Sequence, residues 1–289
     1  MTAESQLRAD IVEVGRRMYA RGYTASNDGN ISVRLGDGRL LMTPKSVCKG
    51  FMTPDMMCIT DENGRKLQGD RDPSSEMLMH LEVYRQRPDA GAVVHAHPPT
   101  ATGFAVAGIP LDRAVLAEVL TTLGSIPIAA YATPSTSELP QAVRQYVRAH
   151  DGMLLANHGA LTLGADLYSA YYKMETIEHF AKISLVARLL GREHLISRDE
   201  VLRLQELRGT YGIKAPAPIC ATDEAGRPLP GAADGQADCQ VVQAPIAAGA
   251  RLVPDPIRPA RDAAGPDDEI RLTYRELSQL IEDAVRSLR

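Results

Sequence analysis

Apolar residues near the start of the chain recur with the spacing of a helix. They occupy every third or fourth position: Leu7, Ile11, Val14 and Met18. Gly22 follows, and glycine commonly ends a helix because it readily adopts the left-handed backbone conformation of the last turn. The pattern therefore predicts one amphipathic helix that ends before Gly22.

Two β-hairpins are predicted after this helix. Short apolar runs flank Gly36-Asp37-Gly38 and Asn63-Gly64, which are turn sequences typical of hairpins. The four strands are expected over residues 30–34, 39–43, 57–60 and 65–67. An antiparallel sheet region follows from these two hairpins.

The middle of the chain alternates short apolar runs with helical patterns. The apolar runs cover residues 92–96, 125–130 and 153–157, and the helical patterns cover residues 138–149, 166–190 and 198–207. A further helix is expected after Ser74-Ser75, either of which can cap it, and it runs to about Arg87. This alternation predicts an α/β domain built in layers.

The composition of the chain changes after residue 212, so the folded domain is expected to span residues 1–214. Residues 215–268 contain nine of the 19 prolines together with many Ala, Gly and Asp residues, which is typical of a flexible linker. Residues 269–289 regain a helical pattern with one apolar stripe. We therefore expect a domain, a linker and a short amphipathic C-terminal helix.

Composition and charge argue against two classes of binding partner. The formal net charge is −4, aromatic residues make up 4% and Trp is absent, so neither nucleic acids nor anionic membranes are expected partners. The sequence has no run of about 18 apolar residues and no apolar secretion signal at its start. The four cysteines include no CxxC pair, which is typical of free thiols. A soluble, cytoplasmic protein is expected.

Three histidines lie at the ends of predicted strands. His95 and His97 are two positions apart, so their side chains share one face of a strand, and His158 ends another apolar run. Three neutral imidazoles at strand ends are typical ligands of zinc or a similar divalent ion, and they leave positions open for a substrate. The other histidines are interpreted as surface residues or hydrogen-bonded packing residues: His80, His150, His179 and His194.

Glu76 directly follows Ser74-Ser75 at the predicted start of a helix. Free backbone N–H groups at such a position favour anions, so the two serines could form an anion site with Glu76 beside it. A glutamate there is also a common helix-start residue. The pattern alone leaves both interpretations open.

Two loops rich in small polar residues form a candidate phosphate site. Residues 26–30 have the sequence Ser-Asn-Asp-Gly-Asn, and residues 43–46 have the sequence Thr-Pro-Lys-Ser. Turns of this kind expose backbone N–H groups, and Lys45 adds a positive charge, so together they could hold a phosphate. Two ordinary loops between strands are the alternative.

These motifs, in this order and spacing, resemble the class II aldolase/adducin family over about residues 5–214. The resemblance rests on seven motifs: Gly29-Asn30-Ile31-Ser32, Thr43-Pro44, Ser74-Ser75-Glu76, His95-x-His97-Pro98, Pro127-x-x-x-Tyr131-Ala132-Thr133, Asn157-His158-Gly159 and Thr210-Tyr211-Gly212. It implies a three-layer α/β fold, in which a central, largely antiparallel sheet lies between helices. It also implies a homotetramer with active sites between subunits.

The resemblance further implies roles for individual residues. Zn²⁺ would be bound by His95, His97 and His158. Glu76 would act as the acid/base residue, and Tyr211 would reach the active site of a neighbouring subunit. The substrate phosphate would be bound by Asn30, Lys45, Ser46, Ser74 and Ser75.

The chain departs from the family pattern at two points. Lys45-Ser46 stands where the family enzyme has Thr-Gly, which leaves open the anion that this loop binds. Leu116 stands where that enzyme has a second interface tyrosine. Glu118 or Tyr211 could supply the proton on the aldehyde side instead.

The resemblance implies a metal-dependent aldolase that splits a ketose 1-phosphate, such as L-fuculose 1-phosphate, into dihydroxyacetone phosphate and a small aldehyde. Family members also decarboxylate a 3-oxo-tetronate 4-phosphate, epimerise a pentulose 5-phosphate or dehydrate a thioribulose phosphate. Lys45 would suit the carboxylate of a decarboxylase substrate, and epimerases tend to carry Asp where Glu76 stands. A non-catalytic scaffold like the head of adducin is a further alternative, against which the complete set of three histidines and Glu76 argues.

The linker and the terminal helix are similar to the encapsulation peptides that attach enzymes to bacterial microcompartment shells. A helix of about 17 residues is marginally stable alone in water, so its apolar stripe needs a partner surface. A shell protein is the expected partner, and docking on the enzyme's own oligomer is the alternative.

Overall fold

The computed structural model describes residues 3–210 and residue 213. Tyr211, the predicted linker over residues 215–268 and the predicted helix over residues 269–289 lie outside the described residues.

Helices and strands alternate along the described part of the chain. The α-helices are α1 (Ala3–Ala20), α2 (Met77–Gln86), α3 (Pro99–Ala107), α4 (Ala117–Thr122), α5 (Glu138–Val147), α6 (Leu167–Leu189) and α7 (Arg198–Thr210). The strands are β1 (Asn30–Arg34), β2 (Leu40–Met42), β3 (Cys58–Thr60), β4 (Lys66–Gln68), β5 (Ala92–Ala96), β6 (Ile128–Ala129), β7 (Gly152–Leu155) and β8 (Gly159–Gly164). None of these helices is both long enough and apolar enough to cross a membrane.

The eight strands form one sheet in the order β4-β3-β2-β1-β5-β8-β7-β6. Neighbouring strands are antiparallel except β6 and β7, which run parallel. The predicted hairpins are present as β1–β2 and β3–β4, and Gly38 and Gly64 in their turns have positive φ angles of 85° and 86°. The prediction of a largely antiparallel sheet is confirmed.

Helices cover both faces of the sheet. Because successive strand residues point to opposite faces, Val93 and Val94 of β5 belong to different cores. Val94 lies in the core that α1, α3 and α6 cover, together with Met174. Val93 lies in the core that α2 and α5 cover, together with Val143. The three-layer α/β prediction is therefore confirmed.

The structure also corrects several predicted elements. The strand predicted over 125–130 is reduced to β6, and the strand predicted over 153–157 ends at Leu155 because the chain turns at Asn157, which has a φ of 54°. Helices α3 and α4 and strand β8 have no predicted counterpart. Their segments are short, and β8 begins and ends with glycine, so they carry little helical or strand periodicity.

The start of α2 differs from its prediction as well. The helix begins at Met77 with Glu76 as its N-cap residue, and no side chain caps it. The Ser74 hydroxyl instead accepts a hydrogen bond from the backbone N–H of Glu76 at 3.3 Å. Glu76 therefore stands just before the first helical turn, where its side chain can point away from the helix.

Candidate active site

The three predicted metal ligands converge at the ends of neighbouring strands in the middle of the sheet. His95 lies within β5, His97 follows that strand, and His158 occupies the turn between β7 and β8. Since β5 and β8 are neighbours, this turn lies beside the end of β5. The centroids of the three rings are 4.7 to 5.0 Å apart, and their ligand nitrogens lie within 4.8 Å of one another.

The turn that carries His158 depends on its two neighbours. Asn157 adopts the left-handed conformation, which asparagine tolerates better than most residues. A Cβ atom on Gly159 would lie 2.5 Å from the Ala96 carbonyl oxygen and 2.6 Å from the His97 ring. The close approach of this turn to β5 therefore requires glycine at position 159.

The hydrogen bonds of His95 and His97 direct one nitrogen of each ring toward the other. His95 donates from Nδ1 to the Ala160 carbonyl at 2.8 Å, and His97 Nδ1 lies 3.4 Å from the Asp28 carboxylate. Their Nε2 atoms are 3.1 Å apart. Two nitrogens bound to one zinc ion lie roughly 3.3 Å apart. A cation therefore fits this arrangement and would offset the repulsion of the two lone pairs.

Burial keeps the His95 and His97 rings in the neutral form that binds metal. Desolvation lowers the pKa of His95 to about 3 and also lowers the pKa of His97. Both rings are therefore neutral near pH 7, and a metal ligand must be neutral imidazole. His158 Nδ1 is buried without a hydrogen-bond partner among the described residues.

Glu76 places its carboxylate against these histidines. Its Oε2 lies 3.3 Å from His95 Nε2, and its Oε1 lies 3.2 Å from His158 Nε2. Burial disfavours the ionised carboxylate, but His95, His158 and the Asn30 amide outweigh burial, so the pKa of Glu76 lies below its usual range. An ionised carboxylate at this position can contact a metal or accept a proton from a substrate.

Asn30 lies beside Glu76 in the structure. Its amide nitrogen donates to Glu76 Oε2 at 2.8 Å, and its Oδ1 lies 2.5 Å from His80 Nε2. The amide has a second hydrogen that can reach a substrate anion. Asn30 therefore links Glu76 to His80, which is fully buried, although the sequence predicted only a surface or packing role for it.

The other four predicted phosphate ligands lie on two adjoining loops. Lys45 and Ser46 are exposed, and the Lys45 backbone N–H donates to the Asp72 carbonyl at 2.9 Å. The Ser74 backbone N–H donates to the Thr43 carbonyl at 3.2 Å, and Ser74 is buried while Ser75 is exposed. The structure thus brings the 43–46 and 72–75 loops side by side.

A cavity of about 470 Å³ lies between the two loops singled out in the sequence. It is lined by Tyr19, Ser26, Asn27, Ser46 and Cys48. Ser26 and Ser46 have left-handed φ angles of 51° and 59°, and such residues help to form backbone anion nests. Lys45 is exposed and is absent from this lining.

Sequence reasoning missed Lys49, which connects the two loops. Its side chain is buried, and its ammonium donates to the Asn27 carbonyl at 2.9 Å and to the Val47 carbonyl at 2.7 Å. Burial lowers the pKa of Lys49 to about 8. No local pattern marks this lysine, because its partners are backbone carbonyls brought close by the fold.

A second, larger cavity lies beside Leu116, the position at which the family enzyme has a tyrosine. It measures about 720 Å³, and its lining includes Tyr23, Leu116, Glu118, Glu178 and His179. The Tyr23 carbonyl accepts a hydrogen bond from the His97 backbone N–H at 2.9 Å. Glu118 is exposed in this cavity, and Tyr211, the other predicted donor, lies outside the described residues.

Comparison with known proteins agrees with this geometry. Residues 9–185 match the model of the class II aldolase and adducin N-terminal domain. The chain belongs to this family. It is an enzyme of the class II aldolase family, with His95, His97 and His158 as a candidate site for a divalent metal.

Relatives within the class II aldolase family differ in activity. The 3-oxo-tetronate 4-phosphate decarboxylase of Escherichia coli K12 is 32% identical over 187 residues, which cover 63% of this chain and 88% of that protein. The 5-methylthioribulose-1-phosphate/5-deoxyribulose-1-phosphate aldolase of Rhodospirillum rubrum is 32% identical over 212 residues, 73% of this chain and 95% of that protein. A solved L-fuculose 1-phosphate aldolase is 28% identical with a TM-score of 0.66, covering 71% of this chain and 96% of that one.

Proposed function

We propose that the protein is a zinc-dependent aldolase that cleaves a ketose or deoxyketose 1-phosphate, such as L-fuculose 1-phosphate. The products are dihydroxyacetone phosphate and a small aldehyde. The observation that carries this proposal is the convergence of three imidazoles beside the Glu76 carboxylate. A scaffold protein has no physical need for three imidazoles gathered at one point beside a carboxylate.

His95, His97 and His158 would hold the ion, one per subunit. When bound, it would supply Lewis-acid chemistry, polarising the substrate carbonyl and its neighbouring hydroxyl. Zinc suits three imidazole ligands with a carboxylate beside them, and other borderline divalent ions share this preference.

Glu76 would move the proton that completes the reaction. In cleavage, the ionised Glu76 carboxylate would take up the proton of the hydroxyl on the fourth carbon, passed on by the proton-transfer group on the aldehyde side. The bond between the third and fourth carbons breaks at the same time, which releases the aldehyde. The electron pair of the broken bond remains on the dihydroxyacetone phosphate half, and Glu76 returns a proton to the third carbon. The low pKa of the Glu76 carboxylate suits a group that must begin the cycle ionised.

The substrate phosphate would occupy the region between the two polar loops. The proposed ligands are Asn30, Lys45, Ser46, Ser74 and Ser75. The cavity beside Ser26 and Ser46, with left-handed backbone at both residues, supports an anion site here. We also propose a tetramer in which Tyr211 serves the site of a neighbouring subunit, with Glu118 as the alternative proton donor.

A decarboxylase is the second candidate. It is favoured by the 32% identity to a 3-oxo-tetronate 4-phosphate decarboxylase and by the exposed Lys45, which could pair with a substrate carboxylate. A pentulose-phosphate 4-epimerase of the same family is a third candidate with less support, because such enzymes tend to carry Asp at the position of Glu76.

A substrate panel on zinc-loaded protein, with and without a chelator, distinguishes these candidates. Ketose 1-phosphates are assayed for dihydroxyacetone phosphate, and 3-oxo-tetronate 4-phosphate for carbon dioxide. We expect chelator-sensitive formation of dihydroxyacetone phosphate. Carbon dioxide release without that product would identify the decarboxylase. His95→Ala should lose metal and activity together, whereas the exposed control His194→Ala should keep both.

The C-terminal sequence supports a proposal about location. We propose that residues 269–289 bind a microcompartment shell protein and so place the enzyme inside a microcompartment of the cytoplasm. A fluorescent protein fused to residues 269–289 should gather in shells when the matching shell is produced. Diffuse fluorescence in those cells would contradict this proposal and leave docking on the enzyme's own oligomer as the alternative.

A further inference from the structure

A chain of buried hydrogen bonds runs between β1 and α2 and ends at Glu76. Tyr84 Oη lies 2.9 Å from Ser32 Oγ, which lies 2.7 Å from His80 Nδ1. His80 Nε2 lies 2.5 Å from Asn30 Oδ1, and the Asn30 amide donates to Glu76 at 2.8 Å. The Ser32 and His80 side chains are fully buried, and Asn30 is 3% exposed.

The topology explains why these groups meet. Asn30 and Ser32 are two positions apart on β1, so both point to the face of the sheet that α2 covers. His80 and Tyr84 are four positions apart on α2, so they lie on one face of that helix. Two polar residues of a strand therefore interdigitate with two polar residues of a helix inside an otherwise apolar layer.

The donors and acceptors permit only one direction of donation along this series of hydrogen bonds. The Glu76 carboxylate accepts, so Asn30 must present its amide nitrogen to Glu76 and its carbonyl oxygen to His80. His80 must then carry its hydrogen on Nε2, which leaves Nδ1 to accept from the Ser32 hydroxyl. Ser32 in turn accepts from Tyr84. Burial lowers the pKa of His80 to about 4, so the ring has a single N–H near pH 7.

The reversed arrangement is unfavourable at both ends of Asn30. A flipped amide would place its carbonyl oxygen against the Glu76 carboxylate and its NH₂ group against the N–H of His80. Each contact would join two groups of the same kind within hydrogen-bond distance, inside a region where water cannot intervene. The hydrogen on His80 Nε2 therefore selects the Asn30 orientation that supports Glu76.

We propose that His80, as its Nε2–H tautomer, is a positioning residue that orients the Asn30 amide and thereby holds the Glu76 carboxylate in place. This role rests on the proposed function, since Glu76 is the proton-transfer group of that reaction. His80 itself contacts neither the histidine trio nor a substrate position. Its effect passes through Asn30.

Nitrogen NMR of ¹⁵N-labelled, zinc-loaded protein tests the tautomer directly. His80→Gln identifies the His80 signals by their loss. We expect a protonated Nε2 and an unprotonated Nδ1 for His80. A hydrogen on Nδ1 would overturn the positioning role, and this result is read without any substrate.

Kinetics test the consequence for Glu76. His80→Leu removes the donor to Asn30 and should lower kcat by about tenfold or more, with KM changed less than about threefold and zinc content unchanged. His80→Gln offers a side-chain N–H to Asn30 and should recover most of kcat. The control His150→Gln removes another buried histidine, one that bonds to the Ser125 carbonyl at 3.0 Å, and should leave kcat unchanged.

The outcomes separate the two proposals. Wild-type kcat in His80→Leu, or equal losses in His80→Leu and His80→Gln with a folded His80→Gln protein, would overturn the positioning role. A wild-type protein that turns over neither ketose 1-phosphates nor the decarboxylase substrate would contradict the proposed function. The NMR result decides the tautomer in either case.

Discussion

His97 directs its Nδ1 at the Asp28 carboxylate, 3.4 Å away, and this leaves its Nε2 facing that of His95. The contact fixes which nitrogen of His97 can bind a metal, because the carboxylate holds the ring hydrogen on Nδ1. Asp28 belongs to the loop over residues 26–30, so the same loop borders the candidate phosphate cavity through Ser26 and Asn27. One loop thus borders both the candidate metal site and the candidate anion site.

Asp28→Asn should therefore weaken metal binding without removing a ligand. Loss of a carboxylate that orients a metal-binding histidine typically lowers affinity by about 10- to 100-fold. Competition against a chromophoric chelator measures this affinity. Asp37→Asn, in the exposed turn between β1 and β2, is the control and should bind zinc like the wild type. Equal affinities in the two variants would show that Asp28 does not orient His97.

The buried His80 should make stability depend on pH. Its pKa is about 4 in the folded protein and near 6.5 in an unfolded chain. Between these values the unfolded chain binds a proton that the folded protein does not, so the free energy of unfolding falls as the pH drops. The titration of His80 should lower the free energy of unfolding by roughly 3 kcal/mol across this pH range.

Urea unfolding of metal-free protein at several pH values measures this contribution of His80 to the free energy of unfolding. His80→Gln has no titrating ring at position 80, so its stability should fall less steeply than that of the wild type as the pH drops from about 6.5 to about 4. His95 and His97 contribute equally to both proteins and cancel in the comparison. Parallel curves for the two proteins would contradict a buried, neutral His80.

Removing the charge of Lys49 should change both stability and KM, whereas removing the charge of Lys45 should change KM alone. Lys49→Met leaves the Asn27 and Val47 carbonyls without their donor. Because these hydrogen bonds are only partly buried, the loss costs at most about 1–3 kcal/mol for each carbonyl. It should destabilise the protein and raise KM for the sugar phosphate. Lys45→Met should raise KM while leaving stability unchanged, because Lys45 is exposed.

Thermal unfolding and steady-state kinetics on these two variants check this contrast. If Lys49→Met unfolds like the wild type, its ammonium does not hold the two loops together. If Lys45→Met keeps the wild-type KM, Lys45 is no phosphate ligand.

Gly159→Ala should disturb the metal site through packing alone. The added methyl would lie 2.5 Å from the Ala96 carbonyl oxygen and 2.6 Å from the His97 ring. The turn carrying His158 must then move away from His97, so zinc affinity and activity should both fall. Gly103→Ala in α3 meets no atom within 4 Å and is the matched control. Its stability should rise by roughly 0.5–1 kcal/mol, with zinc affinity as in the wild type.

Local sequence patterns were sufficient to single out the three histidines of the candidate metal site, because His95-x-His97 and His158 each lie at the end of an apolar run. Turn sequences likewise located the two hairpins. Periodicity located the long helix α6, whose N-cap Asp166 accepts from the Ser169 backbone N–H. These features depend on neighbours within a few positions along the chain.

Contacts between distant segments could not be predicted in this way. Ser32 and His80 are 48 positions apart, and Lys49 meets Asn27 across 22 positions. A histidine or lysine carries the same local pattern whether the fold exposes or buries it. The role of Asn30 beside Glu76 also required the packing of α2 on β1.

Solvent deuterium exchange into dihydroxyacetone phosphate, followed by proton NMR without any aldehyde, tests the central claim most directly. If Glu76 moves a proton at the carbon beside the carbonyl while the three histidines hold a metal, zinc-loaded wild-type protein will exchange one hydrogen of the hydroxymethyl group for deuterium. The chelated protein and zinc-loaded Glu76→Gln will not. Exchange at the wild-type rate in Glu76→Gln, or no exchange in the zinc-loaded wild type, would contradict the account.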